Sequence, residues 1–230
     1  LRPPFKDAPK VWRALNLAID RKAINDGLLD GLGEISACQP LTPTYFGFNP
    51  DLKPIAYDPA QAKKLLAEAG VANSLTMELE VPTGRYIQAS DIAQVVASQL
   101  SEVGVTVKLR EMEFGAFMNK YIVGKNLGDS AYFGLGWPTL DAGGLLNFWE
   151  TENPQSYWGN TAFTDGAKAA RSTNDPAKRL TLYKTLTKQL CEDSPSIFLF
   201  FTPITYGQSK TIAWQARGDD WVRAMDVKTR

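Results

Sequence analysis

The sequence predicts an α/β fold, a mixed sheet with helices on its faces, and three observations carry that prediction. Apolar and polar residues alternate around Leu75–Val81 and again around Val105–Leu109, the period of half-buried strands. Several other stretches place apolar residues three and four apart, the period of amphipathic helices. Finally, one such helix lies between the two strands, so strand, helix and strand follow in order. That order favours a parallel pair joined by a right-handed crossover.

Taken along the chain, Val11, Leu15, Ala18 and Ile19 fall at helical spacing. VWRALNLAIDRKAINDGLL continues the pattern to Gly31 as one helix or two short ones. Gly31-Leu32-Gly33 reads as the turn that ends it, since it follows a helix and lacks the third glycine of a phosphate loop. Residues 38–57 hold four prolines and several aromatics, Tyr45 among them, without periodicity, and predict an ordered surface loop. Asp58 then caps a helix with Pro59 in its first turn and Ala62, Leu65, Leu66 and Ala69 inward, ending at Gly70.

Leu75, Met77, Leu79 and Val81 alternate with Thr76, Glu78 and Glu80, a strand with one wet face. Ile92, Val95, Val96, Leu100 and Val103 mark a helix from about Tyr86, closed by Gly104, and Val105, Val107 and Leu109 a second strand. EFGAFMNKYIVGK predicts a helix, and SAYFGLGW a strand apolar on both faces, with Phe133 and Leu135 in the sheet. Asp175-Pro176 opens a last helix with Leu180, Tyr183, Leu186 and Leu190 inward, and SIFLFF predicts a final buried strand.

Composition narrows the chemistry. Lys and Arg number 25 and Asp and Glu 25, so no net field is available to hold a nucleic acid. The longest apolar run, Ile197–Phe201, is far short of the roughly 20 residues that span a bilayer. LRPPFKDAPK does not read as a signal peptide. There is no histidine, which removes the usual general base and the His-containing zinc sites. Cys38 and Cys191 are too few for a Cys-only zinc site, and are either one long-range disulfide or two buried thiols. Neither a nucleophile elbow, a Walker loop nor a metal-ligand cluster appears, so no cofactor or metal is expected. The pairs Glu78 with Glu80 and Glu111 with Glu113 read as solvated strand faces.

What remains is a region rich in aromatics and amides: Trp137, Asp141, Asn147, Phe148, Trp149, Asn153, Tyr157, Trp158 and Asn160. Such residues either fill a core under an irregular loop or line a ligand cleft. Trp137 follows the C-terminal end of an expected strand, where open α/β sheets present ligand sites.

The order of these segments resembles the peptide/nickel type (family 5) of extracellular solute-binding proteins that serve bacterial ABC transporters. The likeness rests on PPFKDAPKVWRALNLAIDRKAI, the turn at 31–33, YDPAQAKKLLAEAG, AQVVASQLSEVGVTVKL, GWPTLD and NDPAKRLTLYKTLTKQLCEDSPSIFLF. It implies a periplasmic or lipid-anchored receptor that acts as a monomer, with permease subunits as partners, closing two hinged lobes on a peptide or other small solute. Residues 1–230 would be a single lobe of it, of periplasmic-binding-protein type, with the first lobe upstream. In peptide-binding relatives a Gly-Trp pair precedes an aspartate that takes the ligand's α-ammonium. Gly136 and Trp137 match, and Asp141 is the candidate acid, although it stands four residues after the tryptophan where three is usual. That departure points toward a non-peptide solute. The expected ligand-binding residues are Tyr45, Gly136, Trp137, Asp141, Tyr157, Trp158 and Asn160. The alternatives are a periplasmic hydrolase using Asp141 and Glu150, or a sensory module on the same fold.

Overall fold

The computed structural model describes Phe5 and residues 8–230; the rest of the N-terminal family-like segment lies outside the described residues. The first amphipathic run divides into α1 (Pro9–Leu17) and α2 (Arg21–Leu28). The break is chemical: Asp20 leaves the helical conformation and its carboxylate accepts the Ala23 N–H at 2.9 Å. After β1 (Glu34–Ile35) no helix or strand forms until Asp58, which accepts the Gln61 N–H at 2.8 Å and starts α3 (Pro59–Glu68).

Next come β2 (Thr76–Thr83), α4 (Ala89–Glu102) and β3 (Thr106–Glu113), and the two strands pair in parallel from Thr76 opposite Thr106 to Thr83 opposite Glu113. The helix starts three residues later than its periodicity suggests, because Gly84 (φ 76°) and Gln88 (φ 53°) take left-handed conformations that end the strand and delay the first turn. α5 (Phe114–Met118) runs into a wide π-helical turn at Asn119–Gly124. β4 (Ser130–Ala131) lies on the other side of β2, giving the order β3-β2-β4.

The last part comprises α6 (Ala142–Leu146), α7 (Thr161–Arg171), α8 (Pro176–Asp193), β5 (Phe200–Phe201), β6 (Ile212–Ala213) and β7 (Lys228–Thr229). β5 pairs antiparallel with β1, and β6 with β7. Parallel and antiparallel pairings thus sit in separate sheets of one α/β chain. Among the described residues no helix is long and apolar enough to cross a membrane.

Three sequence expectations are corrected. SAYFGLGW contributes only two strand residues; the Tyr132 N–H reaches the Glu80 carbonyl at 2.8 Å, and beyond it the Gly134 carbonyl accepts the Tyr86 hydroxyl at 3.3 Å in place of a neighbouring strand. Phe133 and Leu135 therefore lie outside the sheet, half-buried. SIFLFF is half-buried throughout and pairs only at Phe200 and Phe201, because its partner β1 is itself two residues long. Glu80, expected on a wet face, is fully buried: the turn after α5 brings Lys120 onto its carboxylate, and the Gly128 N–H donates to Oε1 at 2.9 Å. Glu78 stays partly exposed and meets Arg110 at 3.1 Å.

Two apolar clusters form. One joins Leu15, Ile19, Leu66, Met77, Val81, Ile92 and Leu100, from the first four helices and one face of β2. The other joins Leu41, Leu145, Leu146, Trp149, Phe163, Tyr183, Leu186 and Leu190. Arg21, only 4% exposed, connects α2 to the segment between α8 and β5: its Nε donates to the Phe198 carbonyl at 2.7 Å and its Nη2 to Asn16 Oδ1 at 2.8 Å. Burial, reinforced by the Arg13 charge, pulls its pKa down to about 10, so it is still cationic at neutral pH. A disulfide joins Cys38 to Cys191 and staples the proline-rich loop to α8.

Replacing Arg21 by Ala leaves buried carbonyls unpaired and should cost about 3 kcal/mol or more in urea unfolding. The double change Cys38→Ala, Cys191→Ala frees a loop of 153 positions and should lower stability by about 2–5 kcal/mol, measured on the same urea scale.

Candidate functional site

Beyond β4 the chain leaves the sheet and is caught by the proline-rich loop. The Phe46 N–H donates to the Leu140 carbonyl and the Ala142 N–H to the Phe46 carbonyl, both at 2.9 Å, a single parallel bridge between Phe46 and Asp141. Tyr45 fixes the next contact: its hydroxyl accepts the Trp137 N–H at 2.8 Å and donates to the Trp137 carbonyl at 3.0 Å. Burial raises the Tyr45 pKa, which keeps that hydroxyl protonated. The Trp137 indole packs edge-on against Phe148 at 6.1 Å, lies over Gly144, and is left 37% exposed. A Cβ at position 144 would overlap the indole, whereas one at Gly136 would touch nothing.

Asp141 belongs to the same cluster, but its oxygens are engaged. Arg179, on α8, forms a two-pronged pair with it at 2.7 Å on each oxygen, and Oδ1 also accepts the Gly143 N–H at 2.8 Å as the cap of α6. The guanidinium lies 5.0 Å from the Phe46 ring centroid and 4.9 Å from that of Tyr183, and donates to the Tyr183 hydroxyl at 2.9 Å. The bond to Asp141 raises the Arg179 pKa further, and burial raises that of Tyr183.

The remaining expected residues sit elsewhere. Tyr157 and Trp158 line an open cavity of about 770 Å³ with Glu78, Lys108, Lys125 and Asp129, near the start of β2 and away from the end of the sheet where Trp137 lies. Tyr157 stacks on Tyr121 at 6.0 Å, and Trp158 packs on Phe163 at 5.1 Å. Asn160 caps α7 by accepting the Phe163 N–H at 3.0 Å. Glu150 is 3% exposed and held by both prongs of Arg171. Among the described residues no cluster of three metal-ligating side chains occurs.

Sequence reasoning missed Arg179 and Arg85. Arg179 carried no local signal, because its partner lies 38 positions away. Arg85 did carry one: it follows the end of β2, as Trp137 follows β4. Its guanidinium lies 5.5 Å from the Tyr86 ring centroid and 5.8 Å from that of Phe114. Tyr86 in turn touches Phe133 at 6.3 Å and bonds to Gly134, so Arg85 stands on a platform tied to the segment that leads to Trp137.

Comparison with known proteins adds to this geometry. The family described as bacterial extracellular solute-binding proteins, family 5 Middle, matches residues 1–157. The dipeptide-binding protein of Escherichia coli (strain K12) is 31% identical over 210 residues, which is 86% of this chain and 38% of that protein. A glutathione-binding protein of Pectobacterium atrosepticum is 33% identical over 222 residues, 91% of this chain and 42% of its own. Among solved structures, a dipeptide-binding protein from a Pseudoalteromonas species in complex with Met-Leu superposes with a TM-score of 0.79 at 25% identity, covering 100% of this chain and 46% of that one. The chain thus spans less than half the length of each of these three proteins.

If Gly144 exists to seat the indole, Gly144→Ala should destabilise the protein by about 1–3 kcal/mol through overpacking. That cost should disappear when Trp137 is also replaced by Ala, and urea unfolding of the four-member mutant cycle measures it.

Proposed function

Because the chain belongs to the bacterial extracellular solute-binding proteins of family 5, we propose that it is the second lobe of a two-lobe receptor feeding an ABC importer. Residues 1–230 form one wall of the cleft, and a small solute, peptide or otherwise, is captured between this wall and the other lobe. The receptor works as a monomer in the periplasm or tethered to the cell surface, and hands its solute to the permease. The observation that carries this reading is Trp137: a large ring held rigidly by Tyr45 yet left exposed at the end of the sheet. A pre-organised aromatic face supplies contact area at little entropic cost. The dipeptide- and glutathione-binding relatives support a small solute of that size.

Capture works by population shift, since a solute that touches both lobes stabilises only the closed state. The hydrolase alternative has no support in the geometry. Asp141 and Glu150 are each held by both prongs of an arginine, an arrangement that leaves their oxygens occupied.

Thermal unfolding of the full-length protein against a panel of peptides, amino-acid derivatives and sugars tests the reading. A cognate solute at 100 times its Kd should add about 2.7 kcal/mol of stability. Trp137→Ala should weaken that solute about tenfold or more. Turnover of a solute with no stabilisation by any would reject the receptor reading.

A further inference from the structure

Tyr157 and Trp158 stand apart from the Trp137 cluster, in the lining of the open cavity of about 770 Å³. The cavity lies between the first part of β2 and β3 on one side and the segments 125–129 and 151–159 on the other, and its volume is in the range of pockets that take a small organic molecule. The charges around it differ in availability. Glu78 is taken by Arg110 at 3.1 Å, and Asp129, 5% exposed, accepts the Glu78 N–H at 2.9 Å. Lys108 stands directly opposite Glu78 in the parallel register, yet Arg110, two residues on and on the same face, reaches that carboxylate instead. Lys108 and Lys125 are exposed, and among the described residues neither forms an ion pair or a side-chain hydrogen bond. Counted with Arg110, three cations meet two carboxylates here. Beside a concave wall that displaces water, such an excess attracts an anion more strongly than it would in open solvent. The rings complete the wall: Tyr157 stacks on Tyr121 at 6.0 Å and Trp158 packs edge-on against Phe163 at 5.1 Å, while both stay half-buried. Rings packed on one side offer contact area at little entropic cost.

We propose that this cavity is a second binding site, separate from the surface around Trp137, and that it takes a small aromatic carboxylate. Lys108 and Lys125 bind the carboxylate, and the ring lies against Tyr157 and Trp158. A single excess positive charge matches a monoanion, which favours a carboxylate over a phosphate dianion. The proposal stands independently of the receptor reading, since neither Tyr45, Trp137 nor Asp141 lines the cavity.

The test is calorimetric titration of the full-length protein with benzoate and phenylacetate, with their amides, and with acetate and inorganic phosphate. The aromatic carboxylates should bind, and their amides should bind about tenfold more weakly or worse, the loss of a charge-assisted contact. Added salt should weaken the carboxylates and leave the amides unchanged. In the double variant Lys108→Gln, Lys125→Gln the acid and the amide should bind alike; both lysines are exposed, so this variant should fold. Trp137→Ala should leave phenylacetate binding as it is, which separates this cavity from the surface at the end of the sheet. Four results would overturn the proposal: no aromatic carboxylate bound at up to about 10 mM, an acid preference that survives in the double lysine variant, acetate or phosphate bound as tightly as phenylacetate, or binding abolished by Trp137→Ala. Each of them leaves the receptor reading in place, because that reading rests on Trp137 and is tested by its own panel.

Discussion

The ion pair between Asp141 and Arg179 is the junction on which the geometry around Trp137 depends. Asp141 caps α6 and is gripped by α8 through its carboxylate, and abuts Phe46 of the proline-rich loop through a backbone bridge, so one residue joins three segments distant in sequence. Its side chain is 27% exposed and that of Arg179 24%, so solvent screens part of the attraction. The pair matters mainly through direction: a fork bound at both oxygens fixes orientation as well as distance. Tyr45 completes the arrangement by closing two bonds onto the backbone of Trp137.

Around this junction the protein is two apolar clusters held together by polar and covalent ties. Arg21 is an unusual tie, a buried cation that meets carbonyls and an amide oxygen instead of a carboxylate. Its lowered pKa reflects what burial costs it, and four hydrogen bonds offset that cost. The disulfide does comparable work between the proline-rich loop and α8 without any electrostatic penalty. Both ties bear on the same region, since α8 carries Arg179 and Tyr183.

Much of the fold was legible wherever a local rule operates. Asp58 and Asp175 announce helix starts because capping is a contact over three residues. The alternation in β2 and β3 places Met77 and Val81 in the core. The same alternation failed for Glu80, because what covers the other face of β2 is a turn forty positions away carrying Lys120. It also failed at SAYFGLGW, where an apolar run looks alike whether it pairs as a strand or packs as a loop under Tyr86. The site divided in the same way: strand-end position pointed to Trp137, but nothing local separated that exposed ring from Tyr157 and Trp158, which line a cavity elsewhere, or from Asn160 at a helix cap.

By itself the sequence determined the α/β class, most helix boundaries, the family and the exposed tryptophan after a strand, all of which follow from periodicity, capping and ordered motifs along the chain. Tertiary structure alone decided which charges are free. Asp141 and Arg85 look equally available in sequence, yet one meets a guanidinium 38 positions away and the other rests on two rings. Whether a charge is open to a ligand depends on partners brought together by folding, and no local pattern encodes those partners.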